Sequence, residues 1–577
     1  GVSLVGSAGG TVNLVRKRPT AQSQVSIVLR RGSFDNNYVE VDAAAPLNNS
    51  GSVRGRVDVS YEDKETFIAL EDSRKPAFYG IVEADVGAKT LISLGGSIER
   101  YDGNFAPYGL PRYSDGGDLS LVRSSRGMAP AYNNYYTDVD TVFAEVEHQF
   151  DERWKVRVAA NYQEREQGGF TINTTGAVNR TTLSGPSYGT TVSDSQSDDE
   201  RRALDVMLTG GFDLLGRPHE IAFGGSWAET ENGRGRSASG SAPAVTQNIF
   251  NFDPWLVPRP ALGAWTQGAS ANTSTTEGIY AVGRFNIADP LKVILGARVS
   301  SVISETKNYV TGAKTKTEEK NEFTPYGGVV YDFAEKWSAY ASYADIFRPQ
   351  NTNYTASGST LEPVIGANYE LGVKGEFYDG RLNTSFAIFR VEETNRAQVD
   401  PDNLQPCSGS PTLGDCYVAE GEVRGEGFET EISGELLPNW QITAGYTYVD
   451  TEYVRDRTRT GAASINEGKS FRTTTPEHLF RVWSDYKLSG VLNAWSVGGG
   501  VSAQSEIYSL NNNIRYDQSG YALWNLRVGY QLDEHWSLGL NINNLFDKEY
   551  YLRLGSVTSG NRYGEPRNTM VTLRGTF

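Results

Sequence analysis

Long apolar runs are missing from this sequence. It contains no stretch of about 18 apolar residues, so no segment crosses a bilayer as a helix. Sulfur and imidazole are scarce: 577 residues carry two cysteines, three methionines and four histidines. His148, His219, His478 and His535 are scattered, and each reads as a strand-end or turn residue rather than a metal ligand. Positive charge is in deficit. The formal net charge is −16 and no basic stripe occurs, which argues against a nucleic-acid partner. There is no nucleophile–base constellation, phosphate loop or metal spacing, so the chain does not read as an enzyme and calls for no resident cofactor. No signal peptide opens it, and "GVSLVGSAGG" reads like the middle of a domain.

Aromatic residues and glycine are abundant instead, with 10 Trp, 32 Tyr, 23 Phe and 62 Gly. Yet only 38% of residues are hydrophobic and the mean hydropathy is −0.45. Disordered chains are poor in aromatics. A polar average with many aromatics fits strands that alternate one lipid face with one wet face. A repeated unit supports this: a strand, a tight turn, then an alternating strand that often opens on Trp. Examples are "EVEHQFDERWKVRVAANYQ", "GVVYDFAEKWSAYASY", "EISGELLPNWQITAGYTYV" and "LRVGYQLDEHWSLGLNIN". Long polar connections, near 102–138, 165–199, 231–274, 348–367, 394–420, 453–474 and 554–566, alternate with the short turns. Short turns at one end and long loops at the other mark a transmembrane barrel.

Strand faces agree. Trp440, Ile442, Ala444, Tyr446 and Tyr448 share one side, and Gln441, Thr443, Gly445 and Thr447 the other. The aromatic ends of that row lie roughly 26 Å apart along the strand. Tilted by about 40°, this approximates the apolar band of an outer membrane. The chain stops on "NTMVTLRGTF", which reads as a last strand closing the barrel on the first, with Phe577 in the lipid-facing row. Counting from Gln24 predicts an all-β fold, a 22-stranded antiparallel transmembrane β-barrel, too wide for its own side chains to fill. Glu370, Lys374, Glu376, Glu429 and Glu431 fall on the lumen side, where charge is tolerated.

Before the first strand stands "GSAGGTVNLVRKRPT", with Gly9 and Gly10 at a bend, Asn13 in a short strand, and Arg16, Lys17 and Arg18 in a basic cluster. This stretch resembles the end of the plug domain of TonB-dependent outer-membrane receptors for ferric siderophores. "NINNLFDKEYY" (541–551) and "YGEPRNTMVTLRGTF" (563–577) look like the C-terminal signature of that family. The resemblance extends over essentially the whole chain. "ADPLKVILGAR", "TPYGGVVYDFAEKWSAYASYADIFRPQN" and "NYELGVKGEFYDGRLNTSFAIFRVEETNRAQ" are similar to receptors for ferric coprogen and ferric rhodotorulic acid, hydroxamate siderophores; ferric-pyoverdine receptors share much of the pattern. The resemblance implies a Gram-negative outer membrane, a monomer, and a plugged barrel. A TonB–ExbB–ExbD complex would pull on an N-terminal box that this sequence lacks. Residues 1–23 would be the plug's tail and 24–577 the barrel. Colicins and phages exploit such receptors, and no residue here singles one out.

Iron in such a cargo is already wrapped by the siderophore, so the receptor needs aromatic faces and a few donors, not metal ligands. The candidates lie just past outer strand ends: Tyr108, Arg112 and Tyr113; Trp255 and Trp265; Arg348 and Gln350. Loop packing is the plainer reading for each. "NNLFD" (543–547) reads as barrel wall rather than a cation site. Cys407 and Cys416 bound a small Gly/Ser/Pro-rich stretch inside an outer loop. A disulfide suits the oxidising compartment; free thiols or a soft-metal site are the alternative. Another cargo, such as cobalamin or haem, or a passive porin-like channel, remains as a competing function.

Overall fold

The computed structural model describes residues 15–577 apart from 107–108, 173, 190, 245–246, 411–412 and 512–513. Gly9, Gly10, Asn13 and Tyr108 therefore lie outside the described residues. The chain forms a closed antiparallel barrel of 22 wall strands, from Gln24–Gly32 to Asn568–Thr576. Each wall strand pairs with its neighbour in sequence, and the last pairs with the first from Ser26↔Thr576 to Gly32↔Met570. The backbones of Val25 and Phe577 exchange two further hydrogen bonds, at 2.9 and 2.8 Å. Closure leaves no unpaired wall edge, the condition for a sheet to stand in hydrocarbon. No helix among the described residues is long and apolar enough to cross a membrane.

Connections segregate by length. One end carries tight turns such as 215–216, 289–290, 335–336 and 438–439; the other carries 105–134, 233–269 and 544–567. A bilayer needs about 9–11 residues per tilted strand. Several strands exceed this, including Thr191–Leu214 with 24 residues, and their excess rises past the apolar band on the long-loop side. There Arg236–Ser241 pairs with Thr191–Gln196, and Thr266–Gln267 extends the same sheet.

Alternation sorts the side chains. Val57, Val59, Phe78, Val82, Leu94, Ile279, Leu295, Leu371, Phe386, Ile388, Leu538 and Val571 stand exposed on the outer face. They have no protein to pack on because lipid is their solvent. Trp440 faces Tyr486, and Tyr448 faces His478, across one strand pair, framing the apolar row with aromatic residues. Phe577 is 49% exposed, and its ring contacts His535 and Trp536. On the inner face, large side chains lie flat over glycines. A Cβ at Gly224 would sit 2.2 Å from the Tyr280 ring, and one at Gly296 would sit 2.3 Å from the Tyr326 ring.

Three expectations are corrected. Residues 348–367 are not a long loop: strands Trp337–Tyr354 and Thr360–Phe377 run up to a tight turn at 355–359. Register shifts at Arg348/Gln350 and Gln350/Tyr354 interrupt the alternation that would have revealed them. "NNLFD" is not wall beyond Asn543. Asn544 and Asp547 have φ of 47° and 54°, and the chain turns into an outer loop there. The loop at 505–520, absent from the predicted set, carries the hairpin Ile507–Asn511/Ile514–Gln518.

Placing charge on the lipid face tests this sorting. Leu295→Arg should cost about 2–4 kcal/mol in equilibrium unfolding from liposomes. Ser433→Arg, on the wet face, should stay within about 0.5 kcal/mol of wild type.

Candidate functional site: the lumen and its mouth

A wide barrel needs something to hold its wet interior together, and the segment before the first strand begins to supply it. Lys17 Nζ reaches three carboxylates from neighbouring strands: Glu40 at 3.0 Å, Asp42 at 2.9 Å, and Asp58. Arg18 meets Glu83 at 3.1 Å, Glu147 at 3.0 Å, and Glu145. Backbone contacts fix the segment too, since Tyr79 Oη donates to the Lys17 carbonyl (2.7 Å) and Arg56 to the Arg18 carbonyl (2.9 Å). Arg16 lies over the Phe143 ring at 4.1 Å. Glu83 and Glu145 are nearly buried, so an unpaired charge there would be costly. Partial burial pulls the Lys17 pKa down, but hydrogen bonds with Asp58, Asp42 and Glu40 outweigh it and hold the ammonium above its ordinary 10.5. Its contribution is therefore complete below that value and is lost only in strong alkali.

A cavity of about 1240 Å³ runs along the inner wall past Lys292, Tyr340, Lys374, Glu376 and Glu431. Tyr340 Oη donates to Glu370, and Lys374 stands 4.7 Å over the Tyr340 ring.

At the mouth, the long loops share a core of their own. Leu110, Ile507, Tyr516, Tyr551, Leu554, Val557 and Tyr563 are buried together. Arg112, 4% exposed, sits in this core: its Nη1 donates to the Gly116 carbonyl (3.0 Å), and it lies over Tyr516 (4.6 Å) and Tyr551 (4.9 Å). Asn561, fully buried, ties Leu110 to Ser556 through its amide, 2.8 Å to each carbonyl. Burial and the hydrogen bond to Tyr563 push the Tyr551 phenol up. Tyr113 packs with Leu119, Met128, Val178 and Ile249, beneath Arg180 at 4.1 Å.

The remaining candidates differ in freedom. Trp255 is 72% exposed; Trp265 is half exposed, with Arg236 5.5 Å above its ring. Gln350 is buried, donates to the carbonyls of Glu362 (2.6 Å) and Asn395 (2.7 Å), and accepts from Ala397 N (2.9 Å). It pins the register shift. Arg348 meets Glu393 at 3.5 Å, and its Nε has no hydrogen-bond partner. Among the described residues no hydrogen bond, ion pair or ring contact joins Arg348 or Gln350 to Arg112, Tyr113, Trp255 or Trp265. Cys407 and Cys416 form a disulfide with Cα atoms 5.8 Å apart. Beside it, Asp415 accepts from Arg459 of the 456–477 loop at 2.7 Å, joining two outer loops.

Tyr516, Tyr551 and Asn561 escaped the sequence reading because Arg112 and Leu110, which they meet, lie more than 400 positions away. Acid should loosen this mouth before the wall. The Arg180 hydrogen bonds, with help from the Gly117 amide, hold Asp115 down at about 2. Arg123, aided by the Arg567 amide, lowers Asp547. Depressed carboxylates contribute above their ordinary value of 3.8 and lose that contribution as pH falls through the lowered one. Hydrogen exchange of 105–134 and 544–567 should rise between pH 4 and pH 2 while wall strands stay protected.

Comparison with known proteins places this architecture. The TonB dependent receptor-like β-barrel family matches residues 84–545. The ferric-pyoverdine receptor PbuA of a Pseudomonas species is 37% identical over 590 residues, covering 99% of this chain and 68% of that protein. The ferripyoverdine-bound receptor of the Pseudomonas aeruginosa outer membrane superposes with a TM-score of 0.86 at 32% identity, covering 99% of this chain and 74% of that one. The FpvAI–pyocin S2 complex also gives 0.86, at 31% identity, covering 99% and 72%. The chain belongs to the TonB-dependent receptors, the β-barrels of the outer membrane.

Proposed function

We propose that this barrel takes up a ferric siderophore of the pyoverdine class across the outer membrane, driven through TonB. The 37% identity to a ferric-pyoverdine receptor over 99% of the chain carries this reading. It replaces the coprogen and rhodotorulic acid class towards which the wall motifs pointed, because the relatives at 31–37% identity are named for ferric pyoverdine. Residues 1–23 are assigned to the end of a plug and 24–577 to the barrel. Iron arrives chelated, so the protein holds no cofactor of its own. Trp255 and Trp265 are the candidates exposed at the mouth, and Arg348, paired with Glu393, is part-exposed. Arg112, Tyr113 and Gln350 hold the loops and register that shape it. Coupling to TonB–ExbB–ExbD runs through an N-terminal box. A protein toxin is a second class of partner, supported by the pyocin-bound neighbour.

The test is radioiron uptake into an iron-starved host that lacks its own siderophore receptors and expresses the full-length gene. Ferric pyoverdine should be accumulated, and deletion of TonB should abolish it. Accumulation that survives the deletion would mean a passive channel. Uptake of ferric coprogen in its place would return the cargo to the hydroxamate class.

A further inference from the structure

The inner wall carries a line of charges that starts at the docked tail and ends at a buried guanidinium without a carboxylate and a buried hydroxyl without a partner. Arg18 contacts Glu145, and Glu145 also accepts from Arg157 Nε at 2.9 Å. Arg157 reaches onward to Asp205 with its other arm, but loosely, at 3.8 Å. Asp205 stands directly opposite Ser226, which stands opposite Gly278. Gly278 has no side chain, and Arg298 passes over it: a Cβ there would lie 2.8 Å from Arg298 Nη2. Arg298 thereby donates to Ser226 Oγ at 2.7 Å, and through Nε to Ser300 Oγ at 2.7 Å.

Arg298 is 5% exposed, and among the described residues no carboxylate lies within ion-pair distance of it. Tyr280 beside it is 8% exposed, and its hydroxyl has no hydrogen-bond partner. That ring lies over Gly224, one strand from Asp205. A buried guanidinium without a carboxylate and a buried hydroxyl without an acceptor are both costly to leave unmet. One carboxylate arriving from the Asp205 side would satisfy both.

We propose that Asp205 is a two-position charge whose resting place depends on whether the tail is docked. With Arg18 on Glu145, the Glu145 carboxylate is shared, and Arg157 keeps an arm towards Asp205. When Arg18 leaves, Glu145 is left to Arg157 alone and draws its guanidinium fully. Asp205 then turns across the strand to Tyr280 Oη and Arg298. Asp205, Tyr280 and Arg298 are positioning residues: they act through Arg157 and Glu145 on the tail and touch no cargo. The proposal goes beyond the transport reading and does not depend on the cargo.

Melting temperatures of the purified full-length receptor test it, because an unpartnered hydroxyl can be removed without loss and a partnered one cannot. Tyr280→Phe should leave the wild-type protein unchanged. In an Arg18→Gln background it should lower the melting temperature by about 1 °C or more. Adding Asp205→Asn should remove that difference, and Asp205→Glu should restore it. If Arg18→Gln fails to fold, Arg18→Met removes the cation from Glu145 while keeping the side chain's length, and the same comparison applies. A Tyr280→Phe effect that is absent from both backgrounds, or equal in both, would overturn the switch.

Discussion

Everything in this molecule hangs on one closed ladder of backbone hydrogen bonds. In hydrocarbon every peptide group needs a partner, and a flat sheet always leaves two edges without one. Pairing Gln24–Gly32 with Asn568–Thr576 removes both. It joins residues separated by the whole chain, so the wall is finished only when Phe577 is in place. Once closed, the ladder imposes the alternation of faces. It also makes the lumen wide, and most of the chemistry follows from that width.

A wet, wide lumen tolerates charge that a packed core would not. The inner wall places Glu40, Asp42, Asp58, Glu83, Glu145 and Glu147 around the tail, where Lys17 and Arg18 share them with the wall cations Arg56, Lys155 and Arg157. The tail is held by ion pairs and backbone hydrogen bonds rather than by an apolar core. Under the switch proposed above, Asp205 has an alternative to its loose contact with Arg157. The wall itself has none, because a one-residue slip would turn every lipid-facing side chain inward. A rigid wall and an exchangeable lining therefore coexist in one sheet.

The wall was legible in the sequence because period-two alternation is local. Trp440–Tyr448 and Trp536–Ile542 could be assigned to faces from their own residues. The same rule fails where it is broken locally: Gln350 sits at a register shift, and the strands around it read as loop. It failed again at Asn544 and Asp547, where positive φ ends a strand that composition alone would extend. The mouth was the least legible part. In sequence Arg112 reads as a ligand donor, yet the structure spends its Nη1 on Gly116 and its face on Tyr516 and Tyr551. The two ring contacts span more than 400 positions, and no periodicity records them.

The account's central claim is that this barrel presents a mouth for a ferric pyoverdine. Equilibrium binding of iron-loaded pyoverdine and iron-loaded coprogen to the purified full-length receptor, side by side, tests it most directly. The account predicts saturable binding of ferric pyoverdine and none of ferric coprogen at the same concentrations. Saturable coprogen binding with no binding of pyoverdine would contradict it.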